Sequence, residues 1–389
     1  DGKYFIVRSE RAGYLHYYRH TLGGKLVNAV TGGPWDTDGT LGFDDKHGIL
    51  YFLSVEESPI RRNVYGVRYD GSRKARLAGE PGTNHAQFSS NFKYYINTWS
   101  DASTPDRITL HHIDGTLLRV LEDNALLKKD IRDFGFGSKK FISIPVSDTL
   151  SLNAYLVLPP DFDSTRAYPL LVKVYGGPES QEVTDAWDTD LAWQSYLAQQ
   201  GIITACIDNR GTNGRGEAFR KATYQQLGRS ETEDQIAAAR WLGRKAYIDE
   251  NRIGIWGWSY GGFMTLLCMT RGADVFKAGI SVAPVTNWRF YDTVYTERFM
   301  RTPKQNPQGY DLNAPIHYAA QLRGKLLLIH GTGDDNVHFQ NSAEMVNQLI
   351  RDNKQFEVFY YPNRNHNISG GNTRFHLYTM ITRFVMENL

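Results

Sequence analysis

The pentapeptide Gly257-Trp258-Ser259-Tyr260-Gly261 lies between two apolar runs, Arg252-Ile-Gly-Ile-Trp256 before it and Gly262-Phe-Met-Thr-Leu-Leu-Cys-Met after it. The first run is short and reads as a buried strand, and the second opens a helical stretch. A G-x-S-x-G sequence at a strand-to-helix junction makes a sharp turn, with glycines where a Cβ would block the backbone. The serine hydroxyl then stands exposed above the edge of a sheet. The pentapeptide alone is a weak signal that a chance Gly-Ser turn would also give. The strand–turn–helix context makes it specific.

The sequence around it repeats that strand–helix alternation. From about Phe141 the pattern reads as a strand at Tyr155 to Leu158, ended by Pro159-Pro160, and then apolar strands at Leu170 to Tyr175, Ile202 to Ile207, Arg252 to Trp256, Phe276 to Val282, Lys325 to His330 and Glu357 to Tyr361. Helical stretches lie between and after them, at Asp234 to Arg244, Tyr260 to Thr270, Asn341 to Arg351 and Thr373 to Leu389. Continuously apolar strands are buried on both faces, which with helical crossovers means a mostly parallel sheet with helices on both faces. With the Ser259 elbow, this predicts an α/β-hydrolase catalytic domain over residues 134–389.

A serine hydroxyl needs a base to take its proton, and in this fold the partners follow in the order serine, acid, histidine. After the strand Lys325 to His330 comes Gly331-Thr-Gly-Asp334-Asp335. Asp334 is the candidate acid, with Asp335 beside it as the alternative. After Glu357 to Tyr361 comes Pro362-Asn-Arg-Asn-His366, which places His366 at the same sheet edge. Of the competing histidines, His330 ends a buried strand and reads as core, His338 lies past the acid, and His376 falls inside the last helix. His111 and His112 are neighbours on a strand and point to opposite faces, so they make no chelating pair. No metal site or cofactor is expected. The developing oxyanion needs donors. The N–H of Tyr260 is one. A second should come from the loop Val174-Tyr175-Gly176-Gly177-Pro178, where Tyr175 either supplies its hydroxyl or packs. Asp208-Asn-Arg-Gly211 follows another strand at this edge, as a structural turn or with Arg210 directed at the site.

Residues 1–133 read differently. Runs such as Tyr14-Leu-His-Tyr-Tyr18, Ile49-Leu-Tyr-Phe-Leu53, Tyr94-Tyr-Ile-Asn-Thr98 and Ile108-Thr-Leu-His111 alternate with turn signals at Gly23-Gly24, Asp70-Gly71 and Asp114-Gly115. Period-two runs with such turns mean antiparallel sheet. The turns recur at roughly 40–50 residues, the spacing of β-propeller blades, of which about three fit. Closure needs ~4–8 blades, so further blades are expected upstream or on another chain. An irregular all-β domain is the alternative.

Composition narrows the partners. The 44 basic and 42 acidic residues are interspersed, for a net charge of +2, which argues against nucleic acid. No apolar stretch approaches the ~20 residues of a membrane span. Cys206 and Cys268 lie in apolar segments and read as buried thiols. The chain opens Asp-Gly-Lys-Tyr inside a strand-like run, and the C-terminal part of a longer protein is expected.

Taken together, Gly257-Trp-Ser-Tyr-Gly-Gly262, Tyr175-Gly-Gly-Pro178, Asp208-Asn-Arg-Gly211, Ala283-Pro-Val-Thr-Asn-Trp288, Tyr291-Asp-Thr-Val-Tyr-Thr-Glu-Arg298 and His330-Gly-Thr-Gly-Asp-Asp-Asn-Val-His-Phe339 resemble the dipeptidyl-peptidase branch of the prolyl oligopeptidase family. The resemblance runs through nearly the whole chain. It implies an exopeptidase that releases dipeptides with proline or alanine second, using Ser259, Asp334 and His366 as its triad. It implies an oxyanion hole from the Tyr175 hydroxyl and the Tyr260 N–H. It implies a proline pocket of Tyr260, Val285, Trp288, Tyr291, Tyr295 and Val337, with Asn336 on the carbonyl of the substrate's first residue. Relatives that release tripeptides or cut internally after proline would carry much the same residues. The family's pair of amine-binding glutamates belongs to an early blade. Glu56-Glu57 does not match that context and reads as a surface loop. The resemblance also implies a homodimer and a secreted, periplasmic or cell-surface setting.

Overall fold

The computed structural model describes residues 2–77 and 79–389. Asp1 and Ala78, inside the expected blade segment, lie outside the described residues. The chain divides into two compact units, one of Asp1–Lys139, Thr184–Ala192 and Asn213–Arg220, the other of Lys140–Val183, Trp193–Thr212 and Lys221–Leu389.

The first unit holds three antiparallel sheets in chain order. They are β1 (Tyr4–Ser9), β2 (His16–Thr21) and β3 (Leu26–Ala29), then β4 (Thr37–Asp44), β5 (Ile49–Ser54), β6 (Asn63–Arg68) and β7 (Ala75–Arg76), then β8 (Thr83–Phe88), β9 (Tyr94–Ser100), β10 (Arg107–His112) and β11 (Leu117–Glu122). Each sheet is a meander of neighbours, as the expected blades require. Gly71 and Gly115 turn at φ +87° and +93°, where only a residue without a Cβ sits without strain. The preceding aspartates cap these turns through Ser72 N–H to Asp70 and Thr116 N–H to Asp114, each 2.9 Å. Aromatic pairs fill the core, with Phe52 against Tyr17, Trp35 and Tyr65.

After α1 (Ala125–Asp133), the second unit forms one eight-stranded sheet. Its strands are β12 (Lys140–Pro145), β13 (Ser151–Val157), β14 (Tyr168–Lys173), β15 (Ile203–Ile207), β16 (Ile248–Trp258), β17 (Ala278–Val282), β18 (Lys325–Gly331) and β19 (Glu357–Tyr361). The spatial order is β12-β13-β15-β14-β16-β17-β18-β19. The pairs β12–β13 and β13–β15 are antiparallel and all later pairs parallel. This is the α/β-hydrolase sheet that the strand–helix alternation predicts.

The helices are α2 (Leu191–Gln199), α3 (Gly216–Arg220), α4 (Arg229–Gly243), α5 (Tyr260–Arg271), α6 (Thr293–Met300), α7 (Pro307–Asp311), α8 (Gln340–Arg351) and α9 (Thr373–Asn388). Helix α5 is buried from Tyr260 to Thr270, which fixes the direction in which its first residue leaves the sheet. Helix α9 packs Leu377, Ile381 and Phe384 into a cluster with Trp256, Ile280 and Ile329. Each such aliphatic side chain contributes about 1.5–3 kcal/mol when fully buried. Helix α4 starts at Arg229 rather than at the expected Asp234. The polar first turn hides its helical period, and Glu231 closes it by accepting from Gly228 N–H at 3.0 Å. Both cysteines are buried. Among the described residues no helix is long and apolar enough to cross a membrane.

Candidate active site

Ser259 occupies the junction of β16 and α5 with φ 60° and ψ −117°, a backbone conformation costly for a residue with a Cβ. Neighbouring contacts hold it there. Ser259 N–H donates to Val282 O at 2.8 Å and Phe263 N–H to Ser259 O at 3.0 Å. Any Cβ at Gly257 or Gly261 would collide with the Val174 carbonyl. The two glycines of the pentapeptide therefore give the chain leaving β14 at Val174 room to pass the turn.

Asp334 follows the end of β18, and His366 lies in the loop after β19. His366 Nδ1 stands 2.7 Å from Asp334 Oδ2. Asp335 and His338 are exposed, and His376 bonds the Tyr361 hydroxyl at 2.7 Å, so Asp334 is the acid that meets His366. Two backbone N–H groups, of Asn336 and Val337, each donate to Asp334 Oδ1 at 2.9 Å. Burial alone pushes the Asp334 carboxyl up. Hydrogen bonds from His330 and His366, with the His366 charge and the Asn336 N–H, outweigh it and hold the acid well below the usual carboxylate range. The backbone carbonyl of His366 accepts from Trp258 Nε1 at 3.0 Å, tying the histidine loop to the residue before Ser259.

The expected core histidine is in direct contact with this acid. His330 Nε2 lies 3.1 Å from Asp334 Oδ2, and both side chains are fully buried. The sequence pattern correctly made His330 the end of a buried strand, but missed the contact. The signal was its spacing, four residues before Asp334 across a tight turn.

Beside the elbow stands an aromatic group. The Tyr260 ring lies 5.4 Å from Trp288, which stacks on Tyr295 at 5.9 Å and meets Tyr291 edge-on at 5.8 Å. Tyr175 lies 6.1 Å from Tyr260. The Tyr291 hydroxyl donates to Asn336 Oδ1 at 2.6 Å, joining this wall to the Asp334 loop. Val337 is buried in that loop, and Val285 is buried just past β17. Burial, with the Glu182 charge, pushes the Tyr175 phenol up, so its hydroxyl keeps its proton and can donate.

Glu231 was not singled out in the sequence. Its Oε1 accepts from the Tyr260 hydroxyl at 2.8 Å as well as from Gly228 N–H, while its buried Oε2 has no hydrogen-bond partner among the described residues. The Gly228-x-x-Glu231 spacing, a capping-box pattern ahead of a helix, was the available signal. In the Asp208 turn, the structural alternative describes Arg210. It pairs with Asp234, Nη2 to Oδ1 at 2.7 Å. Asn209 Nδ2 donates to Gly176 O at 3.0 Å and so braces the Tyr175 loop. In the other unit, Glu56 pairs with Lys74 and Glu57 with Arg76.

The arrangement brings a serine elbow, an imidazole paired with a buried acid and an aromatic wall to the strand ends of one sheet. Residues 187–389 match the prolyl oligopeptidase family, and residues 1–106 match the dipeptidyl peptidase IV N-terminal region. The chain is 35% identical to a probable dipeptidyl peptidase 4 of Aspergillus flavus, over 98% of this chain and 50% of that protein. It is 38% identical to human prolyl endopeptidase FAP, over 99% of this chain and 51% of that protein. The crystal structure of Porphyromonas gingivalis dipeptidyl peptidase 4 superposes with a TM-score of 0.96 at 47% identity, covering 100% of this chain and 55% of that one. The chain thus spans about half the length of the curated relatives it matches. Its first unit is a portion of a β-propeller and its second an α/β-hydrolase domain. By sequence and by structure, the chain belongs to the prolyl oligopeptidase family.

Proposed function

We propose that this chain is the catalytic portion of a serine exopeptidase that releases N-terminal dipeptides with proline or alanine as the second residue. The observation that carries the reading is the 2.7 Å contact of His366 with the buried Asp334, beside a strained serine elbow. His366 takes the Ser259 proton as the hydroxyl attacks the scissile carbonyl, then gives it to the leaving amine. Asp334 orients the imidazole and stabilises its charged form. The Tyr260 N–H and the Tyr175 hydroxyl bind the oxyanion. Water then repeats the sequence on the acyl-enzyme.

The rigid rings of Tyr260, Trp288, Tyr291 and Tyr295, with Val285 and Val337, suit a flat pyrrolidine or a methyl group and exclude longer side chains. Asn336 holds the carbonyl of the first substrate residue. The relatives named dipeptidyl peptidase 4 support release of dipeptides. The proposal extends to a blade–hydrolase boundary near residue 133, from the change of periodicity, and to a homodimer and an exported protein, implied by the resemblance.

The test is to label the whole protein with a fluorophosphonate and compare Gly-Pro-anilide with a longer, N-blocked prolyl substrate. The reading expects labelling at Ser259 and cleavage of the free-amine substrate alone. Preference for the blocked substrate would point to a prolyl endopeptidase, and absence of labelling would remove the serine mechanism.

A further inference from the structure

We propose that His330 is a positioning residue that locks the Asp334 carboxylate for His366, a second imidazole on the same oxygen. The inference rests on the triad reading above and adds a member to its supporting structure.

The argument is one of filled valences. An ionised carboxylate offers about four acceptor sites. Those of Asp334 are taken by Asn336 N–H and Val337 N–H on Oδ1, and by His330 Nε2 and His366 Nδ1 on Oδ2. The two backbone donors fix where the carboxylate lies. They leave a swing of Oδ2 resisted only by the two histidines. His366 is partly exposed and must turn between serine and leaving group, so it is a poor anchor. His330 is fully buried, sits on β18, and has no such freedom.

The hydrogen on Nε2 of His330 follows from its partners. Nε2 also lies 2.8 Å from the Val337 carbonyl, which can only accept, so Nε2 carries hydrogen and shares it between Val337 O and Asp334 Oδ2. Nδ1 lies 2.6 Å from Ser342 Oγ on α8 and accepts from that hydroxyl in the neutral ring. Phe339 closes the pocket edge-on at 5.8 Å. The Nε2–H of a neutral ring steadies the carboxylate without cancelling its charge. The charge stays available for the imidazolium that forms on His366 in the transition state. A cation in the same place would compete with that imidazolium.

The test uses the full-length protein and three variants, H330F, H330Q and D334N, with active sites counted by fluorophosphonate. H330F fills the ring volume without a donor, while H330Q offers an amide N–H. The expected result for H330F is a kcat lower by about 10- to 100-fold per active site, the worth of a charge-assisted hydrogen bond, with KM little changed. The acid limb of its kcat/KM profile should move to higher pH, because an Asp334 relieved of one donor holds the imidazolium of His366 more tightly. H330Q should return the limb toward its original place.

A purely structural histidine would lower the number of active sites and leave the limb unmoved, which would overturn the proposal. If H330F does not fold, S342A must move the limb in the same direction, and an unmoved limb there also overturns it. D334N separates the two readings. Full activity in D334N removes the triad reading itself, whereas an inactive D334N beside an H330F with unchanged kcat and pH profile removes only His330.

Discussion

Both units bury polar side chains, but the chains of hydrogen bonds they form end differently. In the blades, Asn63, Asn84 and Asn97 form a buried ladder across β6, β8 and β9, with Asn84 Nδ2 3.3 Å from Asn63 Oδ1 and Asn97 Nδ2 3.0 Å from Asn84 Oδ1. Every member is nearly inaccessible, so the ladder starts and stops inside the protein. In the hydrolase unit the chain runs from Ser342 through His330 and Asp334 to His366, whose side chain is 17% exposed. A buried network that ends inside specifies packing. One that ends on a partly exposed imidazole delivers a fixed orientation to a place where substrate can arrive.

The largest expected effect tests that difference at its exposed end. Ser259→Ala and His366→Ala each lower turnover of Gly-Pro-anilide by roughly 10⁴–10⁶-fold, since such residues act as a unit. A tenth of the original turnover in either variant breaks the assignment. Tyr175→Phe follows, with a loss of roughly 10²–10³ in kcat and a small change in KM, because a donor aimed at the oxyanion acts in the transition state. A raised KM at constant kcat would mean that Tyr175 only packs.

The blade ladder answers in the other currency. Asn84→Ala leaves Asn97 and Asn63 facing an empty place, and an unsatisfied buried polar group costs about 1–3 kcal/mol. Chemical denaturation should show that loss in the blade transition, with kcat per fluorophosphonate-labelled site unchanged. A fall in kcat per labelled site would show the ladder to be part of the chemistry after all.

How much of this was legible follows from range. The elbow, the parallel sheet and the loops of Asp334 and His366 rest on local patterns of apolar strand, glycine and polar turn, so the sequence displays them. The antiparallel sheets show as period-two runs with Asp-Gly turns. The contact of His330 with Asp334 depends on the tightness of the turn from Gly331 to Val337, which residue types alone do not specify. The bond from Tyr260 to Glu231 spans 29 positions and requires knowing that α4 begins a turn before its apolar period does. Arg210 was placed at the right sheet edge, but its partner Asp234 lies on α4, and a guanidinium facing a buried carboxylate is held by it rather than by substrate.

Glu231 supplies the test of whether burial in the hydrolase unit costs stability. Burial lifts its carboxyl from the ordinary 4.5 to about 7, against hydrogen bonds from the Gly228 and Glu231 N–H groups and the Tyr260 hydroxyl, with the Asp234 charge adding to the rise. The folded value is raised, so the folded state binds the proton more tightly than the unfolded chain. The associated stability is fully present below pH 4.5 and is lost as pH rises through about 7. Glu231→Gln keeps an oxygen for Tyr260 and Gly228 and does not titrate. The wild type should therefore lose stability relative to the variant between those pH values, at a slope of at most about 1.4 kcal/mol per pH unit, and run parallel to it above pH 8. The measurement is urea unfolding of both proteins at pH 5, 6, 7 and 8, followed through the tryptophans of the hydrolase unit. Parallel curves from pH 5 to 8 would mean that Glu231 is ionised and satisfied in the fold, and that its second oxygen has found a partner such as an ordered water.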